Sequence, residues 1–231
     1  MAVEHKAGDT VLPRAMSLAV HELRTPVTVV AGYLRMLLRE QAGPLTEKQK
    51  KMLEEADRSC GRLGALVAEM SDFGKLEGGD VAFARQEFDL SGIVVELASG
   101  LHDGDDRGVQ LEARTTTPVM VTGDRARIAA AVKALMQSAV RERVEPGVVV
   151  ARCSAGTVNP GWGVLVIGDE AALDELERGA VASPSGFDEW RGGLGLALPV
   201  ARRVIEAHGG AVWSGNGPRA RATSALRLPL T

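Results

Sequence analysis

The chain has two cysteines, no apolar run long enough to cross a membrane, and no large excess of either charge. Cys60 and Cys153 lie far apart and show no metal-ligand spacing, so both read as buried thiols in a reducing compartment. No segment approaches the roughly 18 consecutive apolar residues that a bilayer demands. The stretch from Met1 to Arg14 is too polar for a secretion signal, and a cytoplasmic protein without a membrane segment is expected. A net charge of −3 leaves no basic footprint, which argues against nucleic acid or an anionic membrane as partner. What is present is 231 residues, 45% of them apolar, enough for one ordinary domain and a smaller one.

The most organised stretch runs from Met16 to Leu37. Apolar residues fall at Met16, Val20, Leu23, Val27, Val30, Leu34 and Leu37, in alternating steps of four and three that make a heptad seam on a helix. His21 lies one residue past the seam and points toward solvent, and Thr25 sits one turn further along the same face. A nucleophile and a hydroxyl are thus displayed side by side. Pro26 has no amide hydrogen, so it removes the bond to the Glu22 carbonyl and should kink the helix beside the histidine.

Taken in order, residues 1–11 form a lead-in without periodicity, and helix one spans about Leu12 to Gln41. Ala42-Gly43-Pro44 stops it, and Thr46 with Gln49 three residues later has the spacing of a capping box for helix two. That helix carries Met52, Ala56, Leu63, Leu66, Met70 and Phe73 and ends near Gly78-Gly79. The seam of such a hairpin is too wide for one copy to bury, so a homodimeric four-helix bundle is expected. The pattern changes near Val81. Strands are predicted at Phe83–Phe88, Val109–Arg114, Val119–Thr122, Gly147–Cys153, Trp162–Ile167, Ala211–Ser214 and Ala222–Leu230. Helices are predicted from Asp89 to about His102, from Arg125 to Arg143, from Ala171 to Glu177 and from Leu194 to Ala207, with a mobile loop at 179–192. This interleaving favours a mixed sheet covered on one face by helices, and an α+β chain divided into 1–11, 12–80 and 81–231.

The run His21-Glu22-Leu23-Arg24-Thr25-Pro26, set on that helix, resembles the phosphoacceptor box of the sensor histidine kinases of bacterial two-component systems. The resemblance implies that His21 takes a phosphoryl group and exchanges it with an aspartate on a response-regulator receiver domain. It implies that Glu22 accepts or orients the ring proton, and that Thr25 orients water for receiver dephosphorylation. Arg24 would meet the transferring group or remain a solvated helix arginine. The order of elements from 83 to 231 is similar to the ATP-binding α/β sandwich of the same family, most closely in Gly193-Leu194-Gly195-Leu196-Ala197 and Glu206-Ala207-His208-Gly209-Gly210. There Gly193 and Gly195 would let amides at a helix N-terminus approach phosphate, and His208 reads as a structural residue at a helix end.

The same resemblance exposes departures. Ala134 and Ser138 stand where asparagines hold Mg²⁺ in the family, and a serine hydroxyl is a shorter, weaker ligand. Arg141 falls near the expected phosphates, whereas Glu142 replaces an aromatic against the base. The adenine-binding aspartate is replaced by Gly168, or is Asp169 with a one-residue shift, and Glu170 and Ala172 fill two glycine positions. Arg191 replaces a further glycine, though an arginine there could still meet phosphate. These losses predict weak or absent binding of ATP and Mg²⁺, with Ser138 only a marginal metal position and no other cofactor. Three readings follow: phosphoryl exchange with, or dephosphorylation of, a receiver by a protein with a degraded ATP site; an ordinary ATP-dependent autokinase; and a non-catalytic dimeric adaptor that binds a receiver or a kinase.

Overall fold

A computed structural model describes residues 11–115, 117–156, 160–179, 186–191, 193–215 and 220–231, without the side chains of 11–13. It divides the chain into two compact units, Met1–Val81 and Ala82–Thr231. Residues 1–10, most of the expected lead-in, lie outside the described residues, as do 180–185 and 192 of the expected loop.

The first unit is a helical hairpin. Helix α1 (Val11–Leu38) runs through Pro26 as one continuous helix, and the Thr28 hydroxyl donates to the Arg24 carbonyl at 2.8 Å in the same turn. It stops three residues before the expected Gln41, because Glu40 turns into the left-handed region at φ 56°. Helix α2 (Glu47–Glu77) opens with the expected capping box. The Gln49 amide donates to the Thr46 hydroxyl at 3.3 Å, and the Thr46 amide donates to the Gln49 side chain at 2.8 Å. Val20 and Leu34 on α1 and Cys60, Val67 and Phe73 on α2 are buried. The Cys60 thiol donates to the Val27 carbonyl at 3.5 Å.

Of the seven seam positions on α1, Val20 and Leu34 are buried within the hairpin and Met16, Val27 and Leu37 are half-buried. Leu23 and Val30 stay 43% and 51% exposed, and Met52 and Leu63 on α2 stay 65% and 53% exposed. The buried positions of α2 are therefore largely offset from those the four-three rhythm picked out.

The second unit combines strands β1 (Arg85–Asp89), β2 (Val109–Thr115), β3 (Met120–Asp124), β4 (Gly147–Ala155), β5 (Trp162–Gly168), β6 (Ala211–Trp213) and β7 (Ser224–Pro229). Its helices are α3 (Leu90–Gly100), α4 (Arg125–Glu142), α5 (Glu170–Gly179) and α6 (Ala197–Ala207). Five strands form a mixed sheet in the order β2-β4-β5-β7-β6, parallel only between β2 and β4, and β1 pairs antiparallel with β3. Asp89 ties the small ribbon to α3: its carboxylate accepts from the Ser91 and Gly92 amides that open the helix and from the Val119 amide that leads into β3.

Helices cover both faces of the sheet, where the sequence suggested one. Cys153 of β4 faces Ser91 of α3, and burial there pushes its thiol pKa up to about 12. The residues on either side point the other way: Arg152 and Ser154 both bond Glu177 of α5, each at 2.8–2.9 Å. Leu173 and Leu176 of α5 pack with Val150, Val164, Val166 and Trp213 on that same face. At the far end of α6, an added Cβ on Gly210 would run into the Arg227 carbonyl, so only glycine admits this approach of chain and strand.

Candidate functional site

On α1, His21, Glu22, Arg24 and Thr25 are all exposed. His21 opens onto a cleft of about 370 Å³ between α1 and the C-terminal turns of α2. Arg14, Ser17 and Arg24 line it from α1, Ser71 and Lys75 from α2, and Asp80 supplies one carboxylate. Among the described residues, Arg14, Arg24 and Lys75 are held in no ion pair. Thr25 lies outside the cleft lining, one turn from His21. The sequence reading missed Arg14, Ser17, Ser71 and Lys75. Spacings of seven and four before His21 put Arg14 and Ser17 on its face, a signal that was available. Nothing local says that Ser71 and Lys75 come to meet them, because that depends on how the hairpin closes.

In the second unit a cavity of about 340 Å³ lies beside the C-terminal end of α4, lined by Glu142, Arg143 and Glu145 and, across from them, Asp169, Arg221 and Thr223. Of the two positions offered for the adenine-binding aspartate, Asp169 reaches it. Gly168 does not; an added Cβ there would come within 3.1 Å of the Thr223 methyl group. Asp169 also caps α5, its carboxylate accepting from the Ala172 amide at 3.1 Å. Thr223, which no motif singles out, sits in the same lining. Glu142 pairs across the cavity with Arg221 at 3.5 Å.

The remaining nucleotide-site residues are scattered. Ser138 is fully buried and its hydroxyl finds no hydrogen-bond partner. Arg141, expected near phosphates, pairs instead with Asp103 at 3.6 Å and does not line the cavity. Arg191, which the sequence leaves able to meet phosphate, is buried: its guanidinium donates to the carbonyls of Ala220 and Thr223 and to the Ser224 hydroxyl, and lies 4.9 Å over the Phe187 ring. Burial pulls its pKa down to about 10. Gly193 and Gly195 both take left-handed backbone, φ 57° and 62°, on the approach to α6, but neither lines the cavity. Among the described residues no cluster of His, Cys, Asp or Glu could hold a metal. Ser138, the position offered for magnesium, is sealed inside α4 and presents no hydroxyl to the cavity.

His208 is structural, as expected. The Asp124 amide donates to its Nε2 at 3.0 Å, its Nδ1 donates to the Val204 carbonyl at 2.7 Å, and Phe83 packs edge-on at 4.6 Å.

The family model of the His Kinase A (phospho-acceptor) domain matches residues 14–79. The histidine-protein kinase BarA of Escherichia coli is 29% identical over 203 residues, covering 82% of this chain and 22% of its own length. This chain therefore spans about a fifth of that relative. Among solved structures, full-length ShkA in complex with AMPPNP superposes with a TM-score of 0.72 at 21% identity, covering 96% of this chain and 46% of that one. The histidine kinase ThkA, in complex with the response regulator TrrA, gives 0.58 at 20% identity over 96% of this chain and 63% of that one. Residues 14–79 thus match the phosphoacceptor domain of histidine kinases, and the chain is similar over most of its length to sensor histidine kinases. No described helix is long and apolar enough to cross a membrane.

Proposed function

We propose that this chain, as a homodimer, exchanges a phosphoryl group between His21 and a response-regulator aspartate, or dephosphorylates that aspartate, with a degraded nucleotide site. The observation that carries the reading is the contrast between the two sites. His21, Glu22, Arg24 and Thr25 stand exposed together on one turn of α1, whereas Ser138, Arg141 and Arg191 are turned away from or sealed behind the cavity. A ring nitrogen of His21 attacks phosphorus, Glu22 takes or orients the ring proton, and Thr25 positions water when the aspartyl phosphate is hydrolysed instead. ThkA was solved with its response regulator, which supports a receiver as the partner here. The half-exposed Leu23, Val30, Met52 and Leu63 are the surface a second copy would cover.

The test is incubation with Mg-ATP labelled at the γ-phosphate and, separately, with phosphorylated receivers from the same organism. His21→Ala serves as control, and acid-labile, base-stable phosphate is the readout. Label on His21 from receivers but not from ATP, or receiver phosphate lost faster in the presence of the chain, is expected. Receiver binding that persists in His21→Ala and Thr25→Ala, with no turnover in parent or variants, would reduce the protein to an adaptor.

One observation favours a second reading, an ATP-dependent autokinase. Asp169 and Thr223 do line a cavity, and ShkA, similar in fold, binds a nucleotide analogue. Labelling of His21 by ATP that is lost in Asp169→Ala would establish it.

A further inference from the structure

We infer that the cleft beside His21 is a phosphate site through which the chain loads this histidine from a small acyl phosphate, without nucleotide. The inference rests on His21 being the phosphoacceptor, as proposed above. Arg14, Arg24 and Lys75 converge on the cleft from two helices, and only Asp80 among the lining residues opposes their charge. In the second unit, by contrast, Arg152 is held by Asp174 and Glu177, and Arg202 by Glu189 and Glu206. Unpaired cations that face one another repel, and a dianion between them relieves that repulsion. Ser17 and Ser71 add hydroxyl donors on either side.

The lining also limits what the anion can be. Apart from His21 itself it contains no aromatic ring on which a base could stack, and its apolar part is Val20 and Met70 alone. The ligand is therefore a small phosphate compound. Among the described residues no cluster of metal ligands lies at the cleft, and a donor whose leaving group departs as a stable anion needs none. An acyl phosphate is such a donor. The lone pair of a His21 ring nitrogen forms the N–P bond, the P–O bond to the acyl group breaks, and the carboxylate leaves with that electron pair. The proton on the other ring nitrogen passes to Glu22 or to water. Lys75, Arg14 and Arg24 neutralise the equatorial oxygens as charge spreads over them. A receiver aspartyl phosphate is itself an acyl phosphate, so the same bond is broken in both reactions.

The experiment uses acetyl phosphate, with a chelator and no nucleotide, and follows phosphate on His21 by ³¹P NMR and by acid lability. Loading of the parent protein and none of His21→Gln is expected. Arg14→Gln and Lys75→Gln should each slow loading by about tenfold, Lys75→Arg should restore the rate, and circular dichroism should report unchanged helix. A purified phosphorylated receiver is the parallel donor and shows whether His21 of the parent protein accepts a phosphoryl group at all. If the receiver loads His21 and acetyl phosphate does not, the small-donor site is wrong and the receiver reading stands. Acetyl phosphate loading that ignores Arg14 and Lys75 also overturns the site. Failure of both donors removes His21 as a phosphoacceptor.

Discussion

At the scale of single residues, the second unit hangs on a few buried polar contacts, and His208 is the one with most to lose. Its ring satisfies the Asp124 amide through Nε2 and holds the Val204 carbonyl through Nδ1, while Phe83 packs on its edge. His208→Ala strands a buried amide and opens a void, at a cost of about 3 kcal/mol read from urea unfolding. Asp124 gives the unit an acid limb. Burial raises its pKa, but the amides of Arg127 and Ala84 and the charge of Arg127 outweigh it and hold the carboxyl below its ordinary 3.8. A depressed pKa means that stabilisation is present above 3.8 and is lost as pH falls through the lower folded value. Asp124→Asn should therefore be less stable at neutral pH and lose less stability on acidification below pH 4 than the parent, as thermal melts across that range would show. A slope identical to the parent's would mean that Asp124 does not set the limb. Neither role was visible in sequence, since each joins positions some 84 apart or brings Ala84 against Asp124 across the small ribbon.

At the scale of elements, what is local was legible and what is tertiary was not. The capping box at Thr46 was readable because its reciprocal bonds lie within four consecutive residues. Thr46→Ala should cost the helical unit about 1 kcal/mol, seen as an earlier helical melt. The buried contacts of the second unit should be untouched, with their own transition unmoved. The strands and helices of that unit were also readable to within a few residues, because β-branched runs and glycine stops mark them. The placement of α5 was not. Its period shows an apolar stripe, but which face of the sheet receives Leu173 and Leu176 depends on how β5 turns into the helix. The inward turn of Arg191 was hidden for a similar reason. A glycine-rich flank suggests backbone open to a phosphate, yet the side chain folds inward, because the carbonyls of Ala220 and Thr223 lie within its reach. Of the candidate site, the box at 21–26 could be read from one helix, while the cations that flank it required the second helix to be placed.

At the scale of the whole molecule, the hairpin leaves its hydrophobic account open. The heptad reading placed Leu23 and Val30 in one seam with Val20 and Leu34, and within a single copy only the latter pair is buried. Two residues of similar apolarity in the same repeat, left about half exposed on α1 and matched by Met52 and Leu63 on α2, form a face that water covers at a cost of roughly 25 cal/mol per Å². A second copy docked on that face would complete a four-helix bundle and fix the partner of every heptad position. Leu23→Glu with Val30→Glu puts charge into such an interface without disturbing Val20, Leu34 or the Cys60 contact inside the hairpin. Sedimentation should show the parent at twice its chain mass and the double variant at the chain mass, with the cooperative unfolding of the sheet domain preserved. A parent that sediments as a monomer over the same concentrations would mean that another surface covers these helices, and the homodimer would be abandoned.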